Sequence, residues 1–128
     1  MNNIANDSVS LILPLKREYV STARLTVSSV ANRVGFNIDE VEDIKVAVSE
    51  VCNIILSRET NESNQYRITF DIKGRTLEIT FSGDNVPFKC LSDSIENEYG
   101  LYIMKALMDS VELCNENHSI VMTKKIGD

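Results

Sequence analysis

Glu50 and Asn53 are the polar residues of this chain with the best-defined setting for chemistry. They flank an apolar series, Val41, Ile44, Ala47, Val48, Val51, Cys52 and Ile55, that recurs at helical spacing. Both therefore fall near the edge of the stripe or off it, where a carboxylate and an amide can face a cleft. The other reactive side chains are less promising. Cys52, Cys90 and Cys114 are isolated thiols without a Cys-x-x-Cys pair, and His118, the single histidine, sits in the polar turn Asn115-Glu116-Asn117-His118. Such spacing builds neither a metal nest nor a disulfide framework. The thiols read as reduced core or surface groups and His118 as an exposed turn residue. A nucleophilic Cys–His pair is the alternative, and nothing in the local sequence supports it.

Composition narrows the classes of partner. The 128 residues are 43% apolar and 25% charged, with a formal net charge of −6. That is the balance of one globular domain, residues 1–128, and an acidic chain lacks the basic patch that nucleic-acid phosphates require. No run of eighteen or more apolar residues occurs, and the opening Met-Asn-Asn-Ile-Ala-Asn-Asp has neither a basic nor an apolar secretion segment. The expectation is a cytoplasmic protein with no membrane contact, whose partners are proteins or small molecules.

The elements that must position Glu50 follow from periodicity. Ser8 to Leu13 reads as a strand stopped by Pro14, suited to a sheet edge. Val20, Ala23, Val27, Val30, Ala31 and Val34 give an amphipathic helix over Arg17 to Val34, with Gly35 as its stop. Asn37 and Glu40 form a capping box for the next helix, which runs to about Leu56 with Asp39, Glu40, Glu42 and Asp43 at its positive end. After a polar loop from Arg58 to Gln65, alternating Tyr66, Ile68, Phe70 and Ile72, the turn Lys73-Gly74-Arg75, and alternating Leu77, Ile79 and Phe81 predict a hairpin with one buried face. Ser82 to Asn97 reads as a long loop, a length that in compact domains usually carries function. Gly100 opens a third helix packing Ile103, Met104, Leu107 and Met108 inward, and Val111 to Cys114 with Ser119 to Thr123 form a last hairpin across the His118 turn. Burying each stripe and face gives an α+β fold, a two-layer sandwich with a mixed, mainly antiparallel sheet and three helices on one face.

Five stretches in order, Pro14 to Val20, Arg24 to Thr26, Ala31 to Phe36, Asp43 to Glu50 and Gly100 to Asp109, resemble the anti-sigma-factor serine kinases of bacterial partner-switching modules. These belong to the ATPase superfamily shared with histidine kinases, gyrase and the Hsp90 chaperone. The resemblance implies a histidine-kinase-like ATPase fold, ATP and magnesium as cofactors, a sigma factor and/or a small anti-sigma antagonist as partners, and a homodimer, with the apolar strand Val9 to Leu13 at its interface. It makes Glu50 the catalytic general base that receives the proton of the serine being phosphorylated. The family's magnesium-binding Asn, four residues after that Glu, is Ile54 here, and an aliphatic chain cannot ligate magnesium. Asn53, one residue early and rotated by about 100°, is the metal candidate.

The family's Asp that reads the adenine amino group and the Gly two residues on correspond to Gly83 and Asn85, with Asp84 between them on the opposite side of an extended chain. The Gly-x-Gly that admits the triphosphate at a helix start corresponds to Glu98-Tyr99-Gly100. A carboxylate at Glu98 repels phosphates; it either occupies the positive helix terminus itself or caps the helix toward solvent. The nucleotide-site candidates are thus Asn53, Gly83, Asp84, Asn85, Glu98 and Gly100. The resulting expectation is a regulator that binds a sigma factor and/or its antagonist, with ATP binding and kinase activity impaired. The alternative is an active serine/threonine kinase using MgATP through Glu50, Asn53, Asp84 and Gly100. A third reading is a pocket altered to accept another ligand.

Overall fold

The computed structural model describes residues 6–58, 64–83, 99–114 and 119–127, with the backbone alone at Cys114. Along them run β1 (Ser8–Pro14), a 3-10 turn (Arg17–Tyr19), α1 (Val20–Val34), α2 (Ile38–Arg58), β2 (Gln65–Lys73), β3 (Thr76–Gly83), α3 (Tyr99–Leu107), β4 (Ser110–Cys114) and β5 (Ser119–Lys125). The five strands make one sheet in the order β1-β2-β3-β5-β4. Every pairing is antiparallel. This is the α+β arrangement expected, with the sheet antiparallel throughout the described residues.

Strand alternation decides which face is buried. Ile68 pairs with Phe81, Phe70 with Ile79 and Ile72 with Leu77, and β5 adds Met122 opposite Ile79 and Ile120 opposite Phe81. All of these are buried, whereas the intervening Thr69, Asp71, Glu78 and Thr80 keep partial exposure on the other face. A period-2 pattern can satisfy both solvents only with one face packed and one wet. The packed face meets α1 through Ala23, Val27, Val30 and Ala31, and α2 through Val41, Ile44, Ala47, Val48, Val51, Cys52 and Ile55. Each such side chain contributes about 1.5–3 kcal/mol when withdrawn from water, less for the alanines.

The helix ends carry their own chemistry. Asn37 and Glu40 form the reciprocal capping box: the Glu40 amide donates to Asn37 Oδ1 at 2.8 Å and the Asn37 amide donates to Glu40 Oε1 at 2.9 Å. Asn37→Ala is expected to lower stability by about 1 kcal/mol in urea unfolding, with the m-value unchanged. Gly35 ends α1 at φ 109, and the amides of Gly35 and Phe36 both close on the Ala31 carbonyl. At the far end of α3, Lys124 Nζ donates to the Leu107 carbonyl at 2.6 Å and the Lys125 amide to Asp109 Oδ2 at 2.6 Å, tying the helix to β5. No described helix is long and apolar enough to cross a membrane.

Several boundaries and faces differ from the sequence reading. The first helix begins at Val20, because residues 17–19 take a 3-10 turn instead. β3 extends through Ser82 and Gly83, which the sequence placed in the loop. In α3 the buried residues are Gly100, Leu101 and Met104, followed by Met108; Ile103 is 38% exposed and Leu107 half-buried. The helix starts at Tyr99, and its packed stripe runs through 100, 101, 104 and 108, so the pair at 103 and 107 falls on the flank.

Candidate functional site

The cleft forms where α2 and α3 approach. A cavity of about 250 Å³ is lined by Glu50, Asn53, Ile54, Ser57, Tyr99 and Gly100. Residues 50, 53, 54 and 57 share one face of α2 because three- and four-residue steps return to the same side of a helix. Position 100 is where α3 comes nearest. A Cβ built on Gly100 would stand 3.0 Å from Glu50 Oε1, 3.1 Å from Ile54 Cδ1 and 3.6 Å from Glu50 Cβ. Only a glycine lets the α3 backbone come so close without displacing one of those side chains.

The helix that carries Glu50 is tied to α1. Arg24 Nη1 donates to Ser49 Oγ at 2.9 Å, and Ser49 Oγ donates to the Lys45 carbonyl at 3.0 Å. This locks the helix one residue before Glu50. Glu50 itself is half-buried and makes no ion pair among the described residues. Ser57 Oγ donates to the Ile54 carbonyl at 2.9 Å, so its proton is committed to the backbone and only lone pairs remain for the cleft. Asn53 is exposed at the rim, and Tyr99 is 86% exposed beside Gly100.

The structure therefore brings together three of the positions singled out from sequence, Glu50, Asn53 and Gly100. Gly83 stands at the end of β3 opposite the fully buried Tyr66, on the helix-facing side of the sheet, where glycine contributes no side chain. Asp84, Asn85 and Glu98 lie outside the described residues, as do Cys90 and His118. Ser57 and Tyr99 were not singled out. The signal for Ser57 was its seven-residue separation from Glu50, two helical turns; that for Tyr99 was its place between two residues already under scrutiny.

Elsewhere on α2, Cys52 is a free, fully buried thiol. Its neighbour is the buried Tyr66 hydroxyl, the two polar groups facing one another inside the core. Burial pushes the Cys52 thiol from its ordinary 9.0 up to about 11, and burial pushes the Tyr66 phenol up as well. A thiol held neutral in this way is a poor nucleophile, which leaves Cys52 a core group. The sign of the linkage follows. From pH 9 to about 11 the unfolded chain loses the thiol proton while the folded chain keeps it. The Cys52 contribution should be undiminished below pH 9 and fall across that window by about 2–3 kcal/mol, with Tyr66 adding a loss of the same sign above pH 10. Denaturant titrations of the native chain and Cys52→Ala at pH 8 and 10.5 should show a smaller loss in the variant.

The donor set limits what the cleft can hold. Its described walls carry one carboxylate, one amide, one hydroxyl with its proton committed, an aliphatic chain and a phenol ring, and neither Lys nor Arg. No cluster of three or more His, Cys, Asp or Glu suited to a metal occurs among the described residues. At the helical position facing both Glu50 and Gly100, where an oxygen ligand would be useful, stands the Cδ1 methyl of Ile54.

Comparison with known proteins agrees with this architecture. The histidine kinase-like ATPase domain family matches residues 13–124. The serine-protein kinases RsbW of Bacillus thuringiensis (strain Al Hakam) and of Bacillus anthracis are each 33% identical over 137 aligned positions, covering 94% of this chain and 86% of the relative. A crystal structure of the RsbU and RsbW domains of Rv1364c from Mycobacterium tuberculosis superposes with a TM-score of 0.62 at 12% identity, over 94% of this chain and 32% of that one, and so supports the fold alone. A match across nearly all the strands and helices, joined to similarity with the RsbW proteins over most of both chains, places the chain in the histidine kinase-like ATPase family, among the anti-sigma-factor serine kinases.

Proposed function

We propose that this chain is a protein-binding regulator of the partner-switching type, which engages a sigma factor and/or an anti-sigma antagonist with its ATP binding and phosphoryl transfer impaired. The observation that carries the reading is Ile54: its methyl group lies at the junction of Glu50 and Gly100, in walls that carry no Lys or Arg among the described residues. Magnesium requires a near-octahedral oxygen shell, and a triphosphate beside a carboxylate without that metal is repelled. The described residues of the cleft therefore do not fit MgATP, even though the family to which the chain belongs implies its use. The resemblance supplies the partners; the retained helices supply surfaces for them.

Residues 1–128 are proposed to act as one domain in the cytoplasm, and as a homodimer. β1 lies at the sheet edge with Val9 and Ile12 41% and 42% exposed, which suits a strand-edge interface. The second reading, an active serine/threonine kinase, is favoured by one specific feature: Glu50 and Gly100 remain in contact distance across the cleft. The two separate in one experiment. Purified chain is mixed with a candidate sigma factor or antagonist, with and without MgATP, and followed by size-exclusion chromatography and radiolabel transfer. Complex formation that is independent of nucleotide, with no label on the partner, is the expected result. Transfer of label to a partner serine that disappears in Glu50→Ala would establish the kinase instead.

A further inference from the structure

Among the described residues, the side chains lining the cleft beside Glu50 offer more acceptors than donors, the donors being the Asn53 amide, the Tyr99 hydroxyl and the first backbone amides of α3. Glu50 carries two carboxylate oxygens without an ion-pair partner among the described residues. Ser57 Oγ has given its proton to the Ile54 carbonyl, so it can only accept. Asn53 adds an amide oxygen at the rim, and Tyr99 an exposed aromatic face beside Gly100. A partly buried carboxylate in such a cavity favours a ligand that is cationic, carries several N–H groups and is flat enough to lie against a phenol ring. A guanidinium has these properties together: a rigid fork of donors that matches a carboxylate through two parallel hydrogen bonds, and a face that stacks on aromatic rings. An ammonium shares the charge but not the fork or the plane. The cavity, about 250 Å³ between the described residues, has room for a side-chain head and stem.

We propose that this cleft is a guanidinium-binding site, taking an arginine side chain of a protein partner or a free arginine-type molecule, with Glu50 as the ionic anchor, Ser57 and Asn53 as acceptors and Tyr99 as the stacking surface. This inference rests on the reading that MgATP does not occupy the same space. A site that once held a phosphate chain would then have become one that holds the opposite charge, through the loss of the metal ligand and the retention of the acid.

The test is a nuclear magnetic resonance titration of the whole isotope-labelled chain with N-acetyl-arginine N-methylamide, and in parallel with the citrulline analogue, which has the same shape without the charge. The expected result is a saturating shift of the Asn53, Tyr99 and Gly100 amides with the arginine compound only. In Glu50→Gln the affinity should weaken by at least about tenfold, as loss of a charge-assisted pair predicts. Tyr99→Ala removes an exposed side chain that the fold does not need and should weaken it by about two- to fivefold. Free arginine separates the two sources: its α-carboxylate next to Glu50 makes it the weaker ligand if the natural guanidinium belongs to a protein, and the stronger if it belongs to a small molecule. The proposal is overturned if the citrulline compound produces the same shifts, if no saturation is reached, or if Glu50→Gln binds as the native chain does. A MgATP titration of the same sample keeps the two readings apart. Micromolar saturation of these amides by MgATP would overturn the impaired-nucleotide reading, whereas failure of both ligands would remove only the guanidinium site.

Discussion

Replacing Ile54 by Asn, Gly83 by Asp and Glu98 by Gly in one chain is expected to raise affinity for MgATP by at least about 100-fold over the native sequence. The three changes return the groups that the family resemblance assigns to metal, adenine and triphosphate, while Glu50 and Gly100 are already in place 3.0 Å apart, measured from the glycine's would-be Cβ. A charged hydrogen bond is worth about 1.5–3 kcal/mol, so near-additive recovery of two such terms amounts to about two to four decades in Kd. Ile54 is only 5% exposed, and Asn in its place is expected to reduce stability by about 2–4 kcal/mol in the absence of metal. The variant should therefore gain much of its thermal stability back when MgATP is added. Equal and weak binding by the native and triple-substituted chains would mean that the nucleotide deficit lies elsewhere than in these positions.

Phe70→Ala is expected to cost about 3–5 kcal/mol and to shift the urea midpoint by more than 1 M, with Thr80→Ala on the opposite face within about 0.5 kcal/mol. Phe70 is fully buried, paired with Val9 on one side and Ile79 on the other, and so sits in the middle of the packed face of the sheet. Thr80 pairs with Thr69 and Val121 on the solvent face. The contrast tests the assignment of faces directly. Comparable losses from both variants would place part of the core on the face described as open.

How much of this could be read from the residues depends on how local the determining physics is. The capping box at Asn37 and Glu40, the glycine stop at Gly35 and the alternation from Tyr66 to Phe81 are set by neighbours within a few positions, and the structure contains all three. The inward face of α3 was misjudged by a fraction of a turn, because a nine-residue helix with apolar groups on most sides leaves its orientation to the element it packs on. The 3-10 turn before α1 left no periodic trace. At the site, the α2 spacing made Glu50 and Asn53 candidates, but nothing in the spacing could show that Gly100 would meet Glu50 and Ile54, since that depends on how two helices distant in sequence come together. The committed proton of Ser57 was equally hidden: a serine in a sequence is both donor and acceptor, and only the 2.9 Å bond to the Ile54 carbonyl decides which remains.

Calorimetric titration of the native chain with MgATP tests the central claim most directly. A dissociation constant weaker than about 1 mM, unchanged by removing magnesium, is what an aliphatic side chain at the metal position and an uncompensated carboxylate predict. A magnesium-dependent constant in the micromolar range would contradict it, and would make Glu50 the base of a working kinase.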